Sequence, residues 1–254
     1  IHRTMNLKSL EKIVQQIHEG RNIHQHLDLI AGLPFEDFES FRHSFDEIYA
    51  LRPQQLQLGF LKVLKGSYMF EHAQEYGILY RAKAPYEVLA TRWISFDDVL
   101  NIRLVEEMLE LHYNSGQFVQ ALRVLEQAYD SAFDMYWEMG RYYLQHGLRS
   151  QNFSRMKRCE IFLAFAAQKD PEHRAWYEQA LTFDLYAREN MKRRPVWAPD
   201  LSATKKTQMQ YLRDNGLEKN YCHMEPFEQE FLKRFTMVDI CEDAGMGEPV
   251  WVLF

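Results

Sequence analysis

The stretch His26-Leu27-Asp28-Leu29-Ile30-Ala31-Gly32-Leu33-Pro34 decides the fold. A short, mostly apolar run stopped by a glycine and a proline is the pattern of a buried parallel strand feeding a loop. Upstream, Leu7, Leu10, Ile13, Val14 and Ile17 recur at steps of three and four, which predicts an amphipathic helix over residues 5–19 with one buried face, ended by Gly20. Downstream, Phe38, Phe41, Phe45, Ile48 and Leu51 form a second helical stripe. Glu36 and Asp37 stand at its positive N-terminal end, and Pro53 lies just beyond its stop. Leu56 to Leu64 is another apolar run, closed by Lys65-Gly66-Ser67. Helix, strand, helix, strand is the repeating unit of an α/β fold. Right-handed crossovers make the strands, expected over residues 23–34 and 55–64, parallel neighbours, with Asp28 and Ile30 facing away from Leu27 and Leu29. Two strands do not make a stable sheet, so further partners are expected.

From Ser95 the pattern turns helical, with helices predicted over residues 96–114, 117–129, 132–147, 155–168 and 172–190. Asp170-Pro171 separates the last two, and Pro195 and Pro199 mark a loop. Near the end, Phe235 to Ile240 and Val250 to Phe254 flank Asp243-Ala244-Gly245-Met246-Gly247, which reads as a small terminal hairpin. The expected division is residues 1–85, carrying helix, strand, helix, strand, helix, and residues 86–254, a mostly helical C-terminal domain. No internal repeat of fixed period emerges.

Composition narrows the functional classes. No apolar run of this 254-residue chain approaches the roughly 18 residues of a membrane span. A net charge of −6 argues against nucleic acid, whose binding needs a cationic face. Cys159, Cys222 and Cys241 are odd in number and widely spaced, which points to free thiols and a cytoplasmic location, and no pair has the spacing of a cysteine metal site, so no metal is expected. The start at Ile1, without an initiator Met, is read as that of a truncated chain.

The stretch from His26 to Pro34, followed by Glu36 and a Phe-rich helix, resembles the fifth strand and following loop of radical S-adenosylmethionine enzymes, some of which carry a similar DLIxGLPGE run. Gln57-Leu58-Gly59-Phe60-Leu61-Lys62-Val63-Leu64-Lys65-Gly66-Ser67 resembles the sixth strand of the same barrel. The helical remainder is similar to the C-terminal domain of bacterial cobalamin-binding-domain proteins related to the anaerobic magnesium-protoporphyrin IX monomethyl ester cyclase. The resemblance implies the C-terminal portion of a partial, TIM-like radical SAM barrel joined to a helical domain, from an iron-sulfur oxidoreductase or cyclase-like enzyme. It implies S-adenosylmethionine, a [4Fe-4S] cluster and in some members cobalamin as cofactors of the intact protein, with a small-molecule substrate. The CxxxCxxC cluster loop is absent from these 254 residues, so no catalytic residue is expected here and the chain alone should be inactive.

Carried over by motif, the resemblance makes Asp28, Ile30 and Gly32 adenine-side contacts, with backbone groups near Leu61, Lys62 and Val63 from the sixth strand. The family's acidic residue is displaced by one, to Glu36, and Phe35 stands where the second glycine of GLPGE would be. On the residues alone, His24 and His26 share one strand face with Asp28 and are candidates for the substrate side, as is Lys65. Tyr129, Tyr136, Trp137, Tyr142 and Tyr143 read as helical core rather than a stacking platform, and the basic runs Arg155, Lys157, Arg158 and Lys192-Arg193-Arg194 as solvated faces. The alternative class is a non-enzymatic helical interaction module, because Asn114-Ser115-Gly116-Gln117-Phe118 with Ala121-Leu122 is similar to one helix pair of tetratricopeptide-type repeats. Unpaired strand edges predict self-association through the first 70 residues or so, and better behaviour of a chain beginning near residue 90.

Overall fold

The computed structural model describes residues 7–20, 23–149, 151–188, 191, 193–217, 223–238 and 249–254. It opens with α1 (Leu7–Gly20), β1 (His26–Ala31), α2 (Phe38–Ala50) and β2 (Gln55–Phe60). The two strands pair in parallel, from His26 opposite Gln55 to Ala31 opposite Phe60. Alternation puts Leu56, Leu58 and Phe60 on a buried face, while His26, Asp28 and Ile30 stay exposed on the other. α2 starts where the Asp37 side chain accepts the Ser40 N–H, and it buries Phe41, Phe45, Ile48 and Tyr49. α1 has a narrower buried face than its stripe predicts. Val14 is buried, but Ile13 is 53% exposed, and the helix is tied down by the Gln25 amide donating to Val14 O at 2.8 Å.

After β2 the predicted third helix shrinks to α3 (Tyr68–Glu71). A hairpin follows it, β3 (Leu79–Tyr80) against β4 (Val88–Ala90). The hairpin grips the continuation of β2: Val88 N–H donates to Leu61 O at 2.8 Å and Val63 N–H to Tyr86 O at 2.9 Å. The helical part comprises α4 (Phe96–Met108), a π-helical turn (Leu109–Asn114), α5 (Val119–Leu125), α6 (Ala132–Gln145), α7 (Arg155–Lys169), α8 (Arg174–Tyr186), α9 (Lys205–Asp214), β5 (Met224–Phe227), α10 (Gln229–Phe235) and β6 (Val250–Leu253).

The chain divides into two compact units, and not at residue 85: Ile1–Ser115 with Tyr129–Arg149, and Gly116–Ala128 with Ser150–Phe254. The reason is α6. Its Phe133 ring meets Phe38, Phe41 and Phe45 of α2 at centroid distances of 5.4, 6.4 and 5.6 Å. Phe133 N–H donates to Asp46 at 2.8 Å, Arg42 pairs with Asp134, and the Tyr49 and Tyr136 hydroxyls lie 3.1 Å apart. Aromatic pairs in such edge-to-face geometry add about 0.5–1.5 kcal/mol each beyond their burial. The helical region that was expected to stand alone from residue 86 thus supplies part of the packing around α2. A chain beginning near residue 90, expected to behave better, would lack α2 and so leave Phe133 and Tyr136 of α6 without these contacts.

In the second unit α5 packs on α8, and the buried Asp184 of α8 accepts the N–H groups of Gln120 and Ala121 at 2.9 and 3.0 Å. The terminal strand β6 does pair, and its partner is Met224–Phe227. Phe235 is instead the buried last residue of α10; the expected turn at Asp243–Gly247 lies outside the described residues. Arg194, read as part of a solvated basic run, pairs with Glu225 at 2.5 Å, and His223 reaches the same carboxylate at 2.6 Å. Glu225 is fully buried, and an unpaired buried charge would be costly. Burial raises its pKa, but the His223 and Arg194 bonds outweigh burial and hold it below the usual carboxylate range.

Candidate functional site

The open face of the β1–β2 pair collects the residues that sequence singled out. His26 Nε2 lies 3.1 Å from Asp28 Oδ1, with both side chains well exposed, and Ile30 follows on the same face at 43% exposure. The parallel register sets Gln55, Gln57 and Gly59 beside these three. Opposite the leucine face, then, stands a polar strip with one apolar patch at its carboxyl end, where parallel α/β folds bind ligands. His24 precedes β1 and is exposed.

At the carboxyl end of β1 the chain turns through Gly32 at φ +85°. A Cβ built there would lie 2.7 Å from Val88 Cγ1, so the glycine makes room for a buried valine. Val88 of β4 is thus the close neighbour on the Cβ side of Gly32, the residue the resemblance marks for an adenine contact. Leu61 and Val63 are likewise buried: Leu61 N–H donates to Ala31 O at 2.9 Å, and the hairpin takes the other groups named above. Of the second strand's proposed contacts, Lys62 is exposed, facing Glu87 across an isolated bridge, and Lys65 is exposed in the turn beyond.

Phe35 takes a backbone conformation typical of glycine. It stands at φ +69°, a left-handed conformation that a bulky residue rarely adopts. Its ring is 74% exposed and leans on Trp93 and Tyr76. Glu36 beside it is half-buried. Burial raises its pKa, against the lowering effect of the Ser44 hydroxyl donating to it at 3.3 Å.

The two edges of the sheet differ. Among the described residues β1 pairs with β2 alone. The outer edge of β2 is closed by the π-helical turn: Leu56 N–H donates to Asn114 Oδ1 at 3.0 Å, Asn114 Nδ2 donates back to Leu56 O at 2.9 Å, and the neighbouring Tyr113 hydroxyl bonds Pro53 O. Sequence reading missed this clamp, because no local signal links Asn114 to a strand 58 residues away.

Iron-sulfur ligation does not fit the described residues. Cys159 is buried, its thiol pushed up to about 12 by burial and the nearby Asp184, and Cys222 and Cys241 lie outside the described residues. Among the described residues no three His, Cys, Asp or Glu side chains converge as metal ligands, and no helix is long and apolar enough to cross a membrane. The aromatic stretch on α6 is core at Tyr136 and Tyr143, which are buried, while Trp137 Nε1 donates to Asn101 at 3.2 Å.

The sequence model of a family described as "Protein of unknown function (DUF4080)" matches residues 74–248, more than half of the chain, and the chain belongs to that family. No curated protein matches it.

Proposed function

We propose that this DUF4080 member is the C-terminal portion of a radical S-adenosylmethionine enzyme of the oxidoreductase or cyclase-like type, acting on a small molecule in the cytoplasm. In this reading β1 and β2 are the last two strands of a partial barrel. The observation that carries it is the asymmetry of the sheet: a parallel pair with its β2 edge closed by Asn114 and the hairpin, and a β1 edge that pairs with no other strand among the described residues. Parallel strands belong to larger sheets covered on both faces, and the face bearing His26, Asp28 and Ile30 is exposed here.

S-adenosylmethionine and a [4Fe-4S] cluster held upstream would supply the radical chemistry, with cobalamin beside them in a cobalamin-binding member. This chain's part is binding and exclusion. Ile30 offers an apolar surface to an adenine, Asp28 a hydrogen-bond acceptor beside it, and His26 a donor toward the substrate.

The coding sequence upstream tests the reading. Four missing βα units of at least 30 residues each put a CxxxCxxC motif within about 150 residues before His26. The full-length protein, anaerobically reconstituted, should then cleave S-adenosylmethionine to 5'-deoxyadenosine, and Ile30→Asp should abolish that cleavage. An upstream sequence without the motif overturns the proposal.

A further inference from the structure

We infer that Phe35, Tyr76, Trp93 and Arg92 form a binding site for a flat aromatic ligand that carries an anionic group. All four groups lie in this chain, so the site stands independently of the barrel reading. Phe35 holds a conformation costly for a phenylalanine, and this places an apolar ring in water instead of in a core. The ring sits 4.7 Å from Trp93 and 5.8 Å from Tyr76, which itself lies 6.0 Å from Trp93. Three aromatic rings thus meet in mutual contact with the outermost largely uncovered, an arrangement that adds a fourth flat ring by offset stacking at little ordering cost.

The charge comes from Arg92. Its side chain is exposed and makes no ion pair with any described residue. Its backbone is fixed next to the cluster: Arg92 N–H donates to Tyr76 O at 3.2 Å, Trp93 follows it in the chain, and its stem passes over Gly77, where a Cβ would lie 2.9 Å from the Arg92 Cγ. Guanidinium recognises carboxylate and phosphate by the same bidentate geometry, so the ligand is an aromatic ring with either anion.

Isothermal titration of the full chain with 2-naphthoate and with 2-naphthyl phosphate tests the site. At least one should bind, and the tighter of the two names the anion. Naphthalene-2-methanol, which lacks the charge, and cyclohexanecarboxylate, which lacks the ring, should each bind about tenfold more weakly or worse. Phe35→Gly, which suits the left-handed backbone, and Arg92→Gln should each weaken the aromatic anion about tenfold while the chain keeps its circular dichroism. Failure of both anions to bind overturns the inference, as does binding untouched by the two substitutions. Light scattering closes the remaining route: if Phe35→Gly turns a dimer into a monomer, the rings serve a second copy of the chain and the ligand site falls.

Discussion

Asn114 stands in for a strand: its side-chain amide exchanges two hydrogen bonds with the backbone of Leu56, as a neighbouring residue of a sheet would. The π-helical turn brings it there, since the extra residue per turn shifts the side chains at its end relative to an α-helix. Leu56 is fully buried, so these backbone groups cannot turn to water instead.

Asn114→Ala should therefore destabilise the first unit by about 2–6 kcal/mol, each of the two stranded backbone groups costing roughly 1–3 kcal/mol. Asn114→Asp, which keeps the acceptor for Leu56 N–H and loses the donor to Leu56 O, should fall between. Urea denaturation of the three proteins would order them; an Ala variant as stable as the parent would show that the clamp contributes nothing.

At Phe35 the backbone and the ring can be separated. Phe35→Ala loses the ring and keeps the strain, whereas Phe35→Gly loses the ring and releases it. The glycine variant should be the more stable by about 1 kcal/mol, the reverse of the usual ranking of the two residues. Thermal unfolding followed at matched pH gives the order directly.

α4 and α6 touch at Gly140, where a Cβ would lie 2.7 Å from Leu104 Cβ and 3.1 Å from Leu104 O. Backbone on one side leaves little to yield, so Gly140→Ala should cost about 1–3 kcal/mol. Because alanine keeps both the Cβ and the carbonyl, shortening Leu104 to Ala should recover none of this loss, as a double-mutant cycle would reveal.

Asp184 gives the second unit a pH dependence of definite sign. Burial raises its pKa to about 7, against the two backbone N–H groups that favour the charged form. The folded state then keeps a proton that the unfolded state releases near the usual aspartate value, so this group's contribution to stability is largest at low pH and declines as pH rises from about 4 to about 7. Asp184→Asn, which stays neutral and retains an acceptor for the α5 backbone, should flatten that slope. Unfolding free energies measured from pH 4 to 8 on both proteins decide it; a wild-type profile rising through this range after correction for the other groups would be the wrong sign.

A chain beginning at residue 90 should aggregate, because Phe133, Tyr136 and the α6 backbone at Phe133 lose α2 and its Asp46 acceptor. Size-exclusion chromatography alongside the full chain checks this.

The local code was readable over much of the chain, but not at α9, α10 or the short strands β3 to β5. Period-two and period-3.6 patterns located β1, β2, α2 and the helices from α4 to α8 to within a few residues, and the crossover rule set the two strands parallel, because these depend on near neighbours. Long-range choices were not readable. Val88 filling the space at Gly32, β6 choosing Met224–Phe227, and α6 joining α2 across some 90 residues each depend on which of several apolar surfaces meet, which periodicity does not specify. Within the candidate site, strand alternation placed His26, Asp28 and Ile30 together, yet it carried no sign that Phe35 would adopt a glycine's backbone or that Arg92 would lie beside its aromatic neighbours.

The interleaving of the two units bears on how the chain is made. Gly116–Ala128 belongs to the second unit, but it leaves the ribosome before Tyr129–Arg149 completes the first. From the synthesis of α2 until α6 emerges about 90 residues later, the α2 phenylalanines lack their α6 cover, an interval of roughly 5–20 s at ordinary elongation rates. Nascent chains of this protein therefore leave that apolar face without its native cover over this window, and slowing translation between residues 50 and 130 would lengthen the exposure instead of giving one unit time to fold.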